Sequence, residues 1–346
     1  MTDSPAAEVL THIEGRVGFI TLNRPKAINS LTHSMVTAMD AALAAWADDD
    51  AVGAVVVNGA GDRGLCAGGD VVALYHSAKA GGAEARRFFF DEYRLNARIG
   101  AYPKPYVAIM NGIVMGGGVG ISGHGNIRVV TETAKIAMPE VGIGFIPDVG
   151  GTYLLSRAPG GLGLHAGLTG APFGAGDAIA MGFADHYVPQ SDLEAFLAEI
   201  IGGGAEVAVE AHAQTPPPSP LTAARDWIDP CYARSSMAEI VAALRDRDDP
   251  AAHEAADLIA TRSPIACATT LEAVRRAATL DSLNEVLIQE YRVSCASLDS
   301  HDFVEGIRAL LVDKDRTPYW SPATMAAVTD ADIDRYFLPA DPDLTF

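Results

Sequence analysis

The sequence predicts an α/β core followed by a largely helical C-terminal region. In the first 200 residues, short apolar runs alternate with stretches of helical periodicity, a pattern typical of βαβ-type units wound into a spiral. The composition then shifts toward glycine and proline over 201–220. Beyond that stretch, apolar residues recur at helical spacing. We therefore expect a core over 1–200, a linker or lid over 201–220 and a helical region over 221–346.

Each predicted element follows from its local composition. Apolar residues at helical spacing predict a helix from about Leu31 to Ala47, which Asn29 or Ser30 would cap. Short apolar and β-branched runs predict strands. The predicted strands are 17–23, 54–58, 106–113, 126–131, 135–138 and 185–189. The other predicted helices are 83–99, several small ones within 149–184, and 237–245, 252–262, 266–278, 282–298 and 303–311.

Composition excludes several classes of protein. The 346 residues are 49% hydrophobic, which is enough for a sizeable core in one large domain or two. Asp and Glu outnumber Lys and Arg by 44 to 25, so the formal net charge is −19. Such a charge repels nucleic acid and anionic membrane surfaces. No apolar run approaches the ~20 residues of a spanning helix. We therefore expect neither nucleic acid nor a membrane as a partner.

Cysteine spacing and the first residues bear on metal binding and on the cellular compartment. Cys66, Cys231, Cys267 and Cys295 show no CxxC spacing and no histidine at zinc-ligand distance. We interpret them as reduced thiols and predict no metal site. The first 17 residues contain no basic segment followed by an apolar stretch and are not rich in arginine. We therefore expect no secretory or transit peptide and predict a cytoplasmic protein.

Two glycine clusters follow predicted strands and suit the binding of an oxygen anion. Gly116–Gly118 comes after the run 106–113 and precedes a segment that could start a helix. The string AGGD, residues 67–70, lies at an expected strand-to-helix turn that Asp70 can cap. Without Cβ atoms the backbone can approach a bound oxygen closely, and a helix N-terminus adds partial positive charge. Two such turns that converge on one atom would form an oxyanion hole.

Two carboxylates, Glu140 and Asp148, lie in the loop that follows the second glycine cluster. Two exposed loop carboxylates are the commonest explanation of such a pair. The residues between them are almost all apolar or glycine, however, so we expect the loop to be buried. A buried carboxylate needs a partner or a functional role. A lone glutamate such as Glu92, within the predicted helix 83–99, would ordinarily be solvated.

Two other motifs compete with an oxyanion hole. Gly118 to Gly123 matches GxGxxG, and Glu140 lies 20 residues past Gly120, as in a dinucleotide-binding fingerprint. The match lies in the middle of the chain and a proline precedes Glu140, so nicotinamide or flavin binding is the weaker interpretation. Ser122 and His124 suggest a nucleophilic serine, but the GxSxG pattern fails. Two residues apart on a helix, they would not face each other.

Three strings together resemble the crotonase, or enoyl-CoA hydratase/isomerase, superfamily: CAGGD, MGGGVGIS and MPEVGIGFIPDVGGTYLLSR. The resemblance starts at NRPKA (23–27) and resumes at HDFVEG (301–306) and DKD (313–315). The C-terminal strings make the chain most similar to the 3-hydroxyisobutyryl-CoA hydrolase branch. The resemblance implies a crotonase-like spiral core of ββα units with a helical C-terminal region. It also implies hydrolysis of an acyl-CoA thioester, most specifically 3-hydroxyisobutyryl-CoA in valine breakdown.

The resemblance further implies roles for five residues around the reacting group. The N–H groups of Gly69 and Gly117 would hold the thioester oxygen. Glu140 would be catalytic, as would Asp148 in the hydrolase branch. Glu92 would contact substrate together with Gly117, Glu140 and Asp148, because the string DEY at 91–93 matches an acidic string of that branch.

The resemblance implies a coenzyme A site in the same way. The expected contacts are Lys26, Ala27, Ala67 and Gly68, with Arg24 and Lys26 as a local basic patch for an anionic ligand. Coenzyme A would then be part of the substrate, and no separate cofactor is expected. Crotonases often form trimers or paired trimers, so the resemblance is compatible with a homo-oligomer.

One position departs from the hydratase pattern. True hydratases carry a second catalytic glutamate two residues after the position of Gly118, where this chain has Gly120. Syn-addition of water uses both carboxylates, so we expect little hydratase activity. Asp148 appears where many hydratases have a small residue. An enoyl-CoA hydratase or isomerase is the alternative within the superfamily, and a dinucleotide-binding oxidoreductase is the more remote one.

Overall fold

A computed structural model of the chain describes residues 7–346, which form a mixed α/β fold. The strands are β1 Val9–Glu14, β2 Val17–Leu22, β3 Ala54–Gly59, β4 Tyr106–Met110, β5 Ile113–Met115, β6 Ile127–Val130, β7 Lys135–Ala137 and β8 His186–Tyr187. The helices are α1 His33–Ala47, α2 Val71–Lys79, α3 Ala83–Gly100, α4 Gly117–Ser122, α5 Gly151–Arg157, α6 Leu162–Thr169, α7 Ala175–Ala180, α8 Leu193–Gly203, α9 Ala205–His212, α10 Pro220–Ala223, α11 Arg225–Tyr232, α12 Met237–Arg245, α13 Pro250–Thr261, α14 Pro264–Ala277, α15 Leu283–Ser297, α16 His301–Ile307 and α17 Asp330–Asp334.

The strands form two sheets. The larger has six strands in the order β1-β2-β3-β4-β6-β8, and the smaller pairs β5 with β7. Only the β1–β2 pair is antiparallel, and the other described pairs are parallel. Parallel strands need both faces covered, which explains why β3 and β4 are continuously apolar. The predicted spiral core of the crotonase-like fold and its helical C-terminal region are confirmed.

Most predicted elements form, with three differences. The run 106–113 divides at Gly112, whose φ is 53°, so that Ile113 starts β5 in the second sheet. Helix α1 starts later than expected, because the Thr32 side chain accepts the hydrogen bond from Met35 N–H that caps it. Strand β1 was not predicted, since it is a mostly exposed edge strand without a continuous apolar run.

The segment 201–220, predicted as a linker or lid, is largely helical up to residue 212. It holds the end of α8 and the helix α9, which buries Ala205 and Ala208 against a small apolar cluster beside the sheet. Alanine and glutamate favour a helix, which explains why Ala205–His212 is helical although glycines precede it. The division of the chain into a core, a linker and a helical region stays a prediction.

The C-terminal helices pack directly on the core. Helix α15 lies on α3, and α14 lies on α5 and α6. One hydrophobic cluster runs from Ile20 in β2 to Leu344 near the end of the chain. Because the sheet and these helices share that cluster, the C-terminal region contributes to the same core.

The described residues bear on membrane insertion and only in part on a targeting peptide. In residues 7–346 no helix is both long and apolar enough to cross a bilayer. The expectation about a targeting peptide concerns in part residues 1–6, which lie outside the described range.

The contact between Gly18 and Trp46 gives a stability prediction. A Cβ atom on Gly18 would lie 2.6 Å from the indole of Trp46, where β2 approaches α1. We expect Gly18→Ala to lower the free energy of unfolding by about 1–3 kcal/mol through overpacking. Gly174→Ala is the matched control, because no atom lies within 4 Å of its Cβ position. Equal denaturation midpoints for the two variants would contradict this view of the β2–α1 contact.

Candidate active site

Two glycine amides from distant parts of the chain lie side by side. The segment carrying Gly69 is held beside Leu31, whose N–H donates to Gly68 and whose carbonyl accepts from Asp70. Gly117 is the first residue of α4, and a Cβ on it would lie 3.3 Å from the Gly69 nitrogen. Neither the Gly69 nor the Gly117 N–H donates a hydrogen bond to an acceptor in residues 7–346. Two unpaired donors that converge in this way form the geometry of an oxyanion hole.

Position 116, beside these amides, requires glycine because the Glu140 carboxyl group lies very close to it. Gly116 has φ 48°, and a Cβ on it would lie 2.7 Å from Oε1 of Glu140. A larger residue at 116 would therefore displace the Glu140 carboxyl group from the amide pair.

The amide pair opens into a cavity of about 240 Å³. Among the residues predicted for the site, Glu92, Glu140 and Asp148 line it together with the two glycine loops, including Ala67 and Gly68. The remaining wall is apolar and comprises Val71, Leu74, Phe88, Phe89, Pro139, Ile143, Phe145, Val149, Phe303, Leu310 and Leu311. The last three come from α16 and the π-helical turn that follows it, Arg308–Val312. A small apolar chamber with few polar groups is the usual form of a small-molecule site.

Two carboxyl groups in the cavity are buried without a complete set of partners. Glu140 starts a short 3-10 helix and is 6% exposed, and its Oε2 has no hydrogen-bond partner. Glu92, on α3, is 2% exposed, and its Oε1 has no partner. A buried polar atom without a partner is costly and uncommon, so these two oxygens are where a ligand or water would bind.

Burial also changes the protonation of these groups. Loss of water raises the pKa of both Glu92 and Glu140 well above the ordinary value, and the nearby Asp148 charge adds to the effect. Burial raises the pKa of Asp148 to about 7, although the hydrogen bond from the Tyr93 hydroxyl opposes the rise. Asp148 therefore exchanges its proton near neutral pH, where acid–base catalysis operates, and the two glutamates hold theirs more tightly than exposed glutamates do.

The backbone that carries Asp148 is strained and held from two sides. Val149 has φ 56°, a left-handed conformation that a β-branched residue rarely adopts. Nε2 of His124 lies 2.8 Å from the Val149 carbonyl oxygen. On the other side, the carboxylate of Glu290 accepts hydrogen bonds from Gly150 N–H at 2.6 Å and from Thr152 N–H at 2.9 Å. These contacts fix the turn and with it the position of Asp148.

Sequence reasoning did not find Glu290 or the other polar residue of α15 near the site, Ser294. The available signal was their spacing, four residues apart on a helix whose buried face also carries apolar residues such as Leu287. The contact between His124 and the Val149 carbonyl oxygen gives this histidine a structural role. Ser122 donates to the Gly118 carbonyl, so Ser122 and His124 do not form a nucleophilic pair.

The predicted coenzyme A contacts fall into two groups. Ala67 and Gly68 line the cavity, whereas Lys26 and Ala27 lie on an exposed 3-10 turn outside it. A hydrogen bond from Ala67 N–H to the Ile28 carbonyl, 2.9 Å long, ties that turn to the cavity rim.

The basic patch expected from Arg24 and Lys26 needs a correction. The Arg24 guanidinium forms ion pairs with Glu8 at 3.1 Å and with Asp70 at 3.2 Å, so its charge is neutralised within the protein. Lys26 forms no ion pair in the described part of the chain. Of the two side chains, only Lys26 retains a charge for an anionic ligand.

The position of Gly120 is closed to a larger side chain. A Cβ there would lie 2.6 Å from Cβ of Val149 and 2.9 Å from Nδ2 of Asn96. A glutamate at 120 would collide with both neighbours. Gly118 is packed as closely, since a Cβ on it would lie 3.0 Å from that of Cys66.

The sequence profile of the enoyl-CoA hydratase/isomerase family matches residues 17–337. The chain belongs to this family. Among relatives of the family, the zebrafish mitochondrial 3-hydroxyisobutyryl-CoA hydrolase is 40% identical over 99% of this chain and 92% of its own length. The human protein of the same name is 38% identical over 96% of this chain and 89% of its own length.

Solved structures of the family show the same fold. A structure from Mycobacterium thermoresistibile, described as a carnitinyl-CoA dehydratase, is 69% identical with a TM-score of 0.96 and covers 98% of both chains. A Rhodobacter sphaeroides enoyl-CoA hydratase is 43% identical with a TM-score of 0.94, covering 98% of this chain and 100% of its own. The resemblance stated from the sequence is confirmed, whereas the roles of individual residues stay predictions.

The raised pKa of Asp148 predicts how stability depends on pH. Its folded value, about 7, lies above the ordinary 3.8, so the native state keeps a proton that the unfolded chain releases. Stability is therefore lost as pH rises from 3.8 to about 7. Asp148→Asn cannot ionise and should gain about 1–3 kcal/mol relative to wild type between pH 4 and pH 8.

Chemical denaturation at pH 4, 6 and 8 measures this gain. The exposed Asp62→Asn is the matched control for loss of one carboxylate. A constant difference between Asp148→Asn and wild type across the three pH values would show that Asp148 does not carry the shift.

Proposed function

We propose that this protein hydrolyses the thioester bond of a 3-hydroxyacyl-CoA, with 3-hydroxyisobutyryl-CoA of valine breakdown as the expected substrate. The observation that carries the proposal is the pair of unpaired amides, Gly69 and Gly117, beside the Glu140 carboxyl group, with position 120 closed to a second glutamate. The full-length similarity to 3-hydroxyisobutyryl-CoA hydrolases supports it.

In this mechanism the two amides bind the thioester oxygen. As the carbonyl carbon is attacked, negative charge collects on that oxygen, and donors placed beforehand stabilise it. Each such donor is typically worth about 10²–10³ in rate. The apolar wall of the cavity excludes water and strengthens both hydrogen bonds.

Glu140 drives the attack by one of two routes. Its carboxylate can add to the carbonyl carbon and expel the coenzyme A thiolate, which leaves a mixed anhydride that water then hydrolyses. Alternatively, it can take a proton from a water molecule that attacks the carbonyl directly. Both routes end with a free carboxylic acid and the coenzyme A thiol, and both need Glu140 ionised beside the amide pair.

Asp148 and Glu92 are placed to recognise the 3-hydroxyl group of the substrate. Both line the cavity. A hydroxyl group both donates and accepts a hydrogen bond, and these two carboxyl groups can supply both partners when one of them is protonated.

Water addition to, or elimination from, a coenzyme A ester is the second candidate. The 69% identity to a structure described as a carnitinyl-CoA dehydratase favours it. Against it stands Gly120, because the second acid–base carboxylate of a hydratase cannot be built there without displacing Val149 and Asn96.

Thiol release distinguishes the two candidates. We expect free coenzyme A from 3-hydroxyisobutyryl-CoA and little loss of double-bond absorbance from crotonyl-CoA. Glu140→Gln keeps the size of the side chain and removes its basicity, so kcat should fall by about 10²–10⁴ with little change in KM. Loss of the double bond without thiol release would establish the hydratase, and full turnover by Glu140→Gln would remove Glu140 from the mechanism.

The Asp148→Asn variant tests recognition of the hydroxyl group. The neutral side-chain amide of asparagine accepts a weaker hydrogen bond from the substrate hydroxyl than a charged carboxylate does. The value of kcat/KM for 3-hydroxyisobutyryl-CoA should therefore fall about tenfold or more. The value for isobutyryl-CoA, which lacks the hydroxyl, should fall less. Equal losses on the two esters would argue against a contact between Asp148 and the substrate hydroxyl.

The proposal also covers cofactors, metals and the cellular compartment. We propose that the acyl-CoA is the only coenzyme involved, that catalysis needs no metal, and that the protein works in the cytoplasm. The four cysteines are buried free thiols, which suits a reducing compartment. The relatives are described as mitochondrial.

A further inference from the structure

Behind Asp148 a chain of two hydroxyl groups leads away from the cavity. The Tyr93 hydroxyl donates to Oδ2 of Asp148 at 2.7 Å, and the Tyr93 oxygen lies 2.6 Å from Oγ of Ser294. Tyr93 has one hydroxyl proton, which goes to the carboxylate, so Ser294 is the donor in the second bond. Both hydroxyl-bearing residues are fully buried. When Asp148 is ionised, every hydrogen bond of the chain therefore points the same way, from Ser294 through Tyr93 to Asp148.

This chain of hydrogen bonds determines which oxygen of Asp148 is left to bind a ligand. Oδ2 is occupied by Tyr93, whereas Oδ1 accepts no hydrogen bond from residues 7–346. Since Asp148 lines the cavity, Oδ1 is the oxygen left for a bound molecule. Turning the carboxyl group away from Tyr93 would break a buried hydrogen bond to a charged acceptor, which costs more than loss of a bond between neutral groups.

The same hydrogen bonds also influence which of the buried carboxyl groups carries the negative charge. The titratable groups that face Asp148 are Glu92 and Tyr93 from α3, Glu140 from its 3-10 helix and Glu290 from α15, with His124 on the neighbouring Val149 carbonyl. None of the carboxyl groups among them forms an ion pair in the described chain. Two adjacent buried carboxyls cannot both ionise readily.

Asp148 and Glu92 differ in the donors available to them. Asp148 receives the Tyr93 hydroxyl, while Oε1 of Glu92 receives nothing. A hydrogen bond to a carboxylate favours its ionised form, so the shared negative charge settles on Asp148 and the proton on Glu92.

We propose that Tyr93, oriented by Ser294, is a positioning residue that holds Asp148 as the charged acceptor of the site and leaves Glu92 as its protonated donor. The proposal rests on the proposed function and extends it. The substrate 3-hydroxyl would donate to Oδ1 of Asp148 and accept from Glu92, so both hydrogen-bonding capacities of one hydroxyl group are used. An acyl chain without the hydroxyl would leave both carboxyl groups unpaired, which gives the site its specificity.

Tyr93→Phe tests the proposal, with Tyr102→Phe as the matched control. Tyr102 is also buried, and its hydroxyl donates to the Leu43 carbonyl at 3.0 Å, outside the cavity. We expect the acidic limb of the kcat/KM profile for 3-hydroxyisobutyryl-CoA to move up by about one pH unit in Tyr93→Phe, since one lost bond to a charged group is worth about that much. The control should keep the wild-type profile.

The preference for hydroxylated substrate gives a second readout. The ratio of kcat/KM for 3-hydroxyisobutyryl-CoA to that for isobutyryl-CoA should fall about tenfold in Tyr93→Phe and stay unchanged in Tyr102→Phe. A Tyr93→Phe enzyme with unchanged pH profile and unchanged ratio would overturn the proposal. If Tyr93→Phe does not fold, Ser294→Ala replaces it, with a smaller change in the same direction expected and the absence of any change counting against the proposal.

A measurement without turnover separates this proposal from the proposed function. With ¹³C-labelled aspartate, the carboxyl signal of Asp148 is assigned by its loss in Asp148→Asn and then titrated in wild type and Tyr93→Phe. An upward shift of about one pH unit in the variant supports the role of Tyr93 even if no thioester is hydrolysed. Identical titrations contradict it even if hydrolysis is observed.

Discussion

Four carboxyl groups, those of Glu92, Glu140, Asp148 and Glu290, are held out of water around one cavity and form no ion pair within residues 7–346. A buried anion without a cation is costly, and the cost falls only if neutral donors surround it or a proton stays on it. The structure uses both means. Glu290 accepts three hydrogen bonds from Gly150 and Thr152, and burial still raises its pKa to about 8. The positions of the surrounding loops follow from where those donors must lie.

The C-terminal helices are part of this arrangement. Helix α15 brings Glu290 to the strained turn and Ser294 to Tyr93, while α16 brings Phe303 onto Phe145 with ring centroids 5.2 Å apart. The strings HDFVEG and DKD, which suggested the hydrolase branch, have a structural explanation here. The Arg308 guanidinium joins Glu305 of α16 to Asp313 and Asp315, which follow the π-helical turn. Leu310 and Leu311 of that turn line the cavity. Removing the C-terminal region would open the site and remove its support.

Much of the fold and of the candidate site could be predicted from the amino-acid sequence alone. The glycines at 68–69 and 116–118 and the acidic side chains Glu140 and Asp148 were identified because a close backbone approach and a buried loop leave strong local signals. The burial of Glu92 was not predicted from its spacing, since a helix with polar neighbours looks solvated until another helix covers it. Arg24 was misjudged for a similar reason, because its partners Glu8 and Asp70 lie far away in sequence and meet it only in the folded chain. The left-handed conformation of Val149 has no sequence signal, as valine avoids it.

The sequence by itself determined the fold class, the family resemblance, the two glycine turns and the loop carboxylates. The fold class rests on hydrophobic periodicity, the glycine turns on the conformational freedom of glycine, and the resemblance on short strings of residues. All three are local properties of the chain. The tertiary structure alone decided which oxygens lack partners, how burial shifts the pKa of each carboxyl group and whether position 120 has room for a side chain. Those properties depend on burial and on hydrogen bonds between residues as far apart as Tyr93 and Ser294. Desolvation and packing act through space, so only the folded chain determines the chemistry of the site.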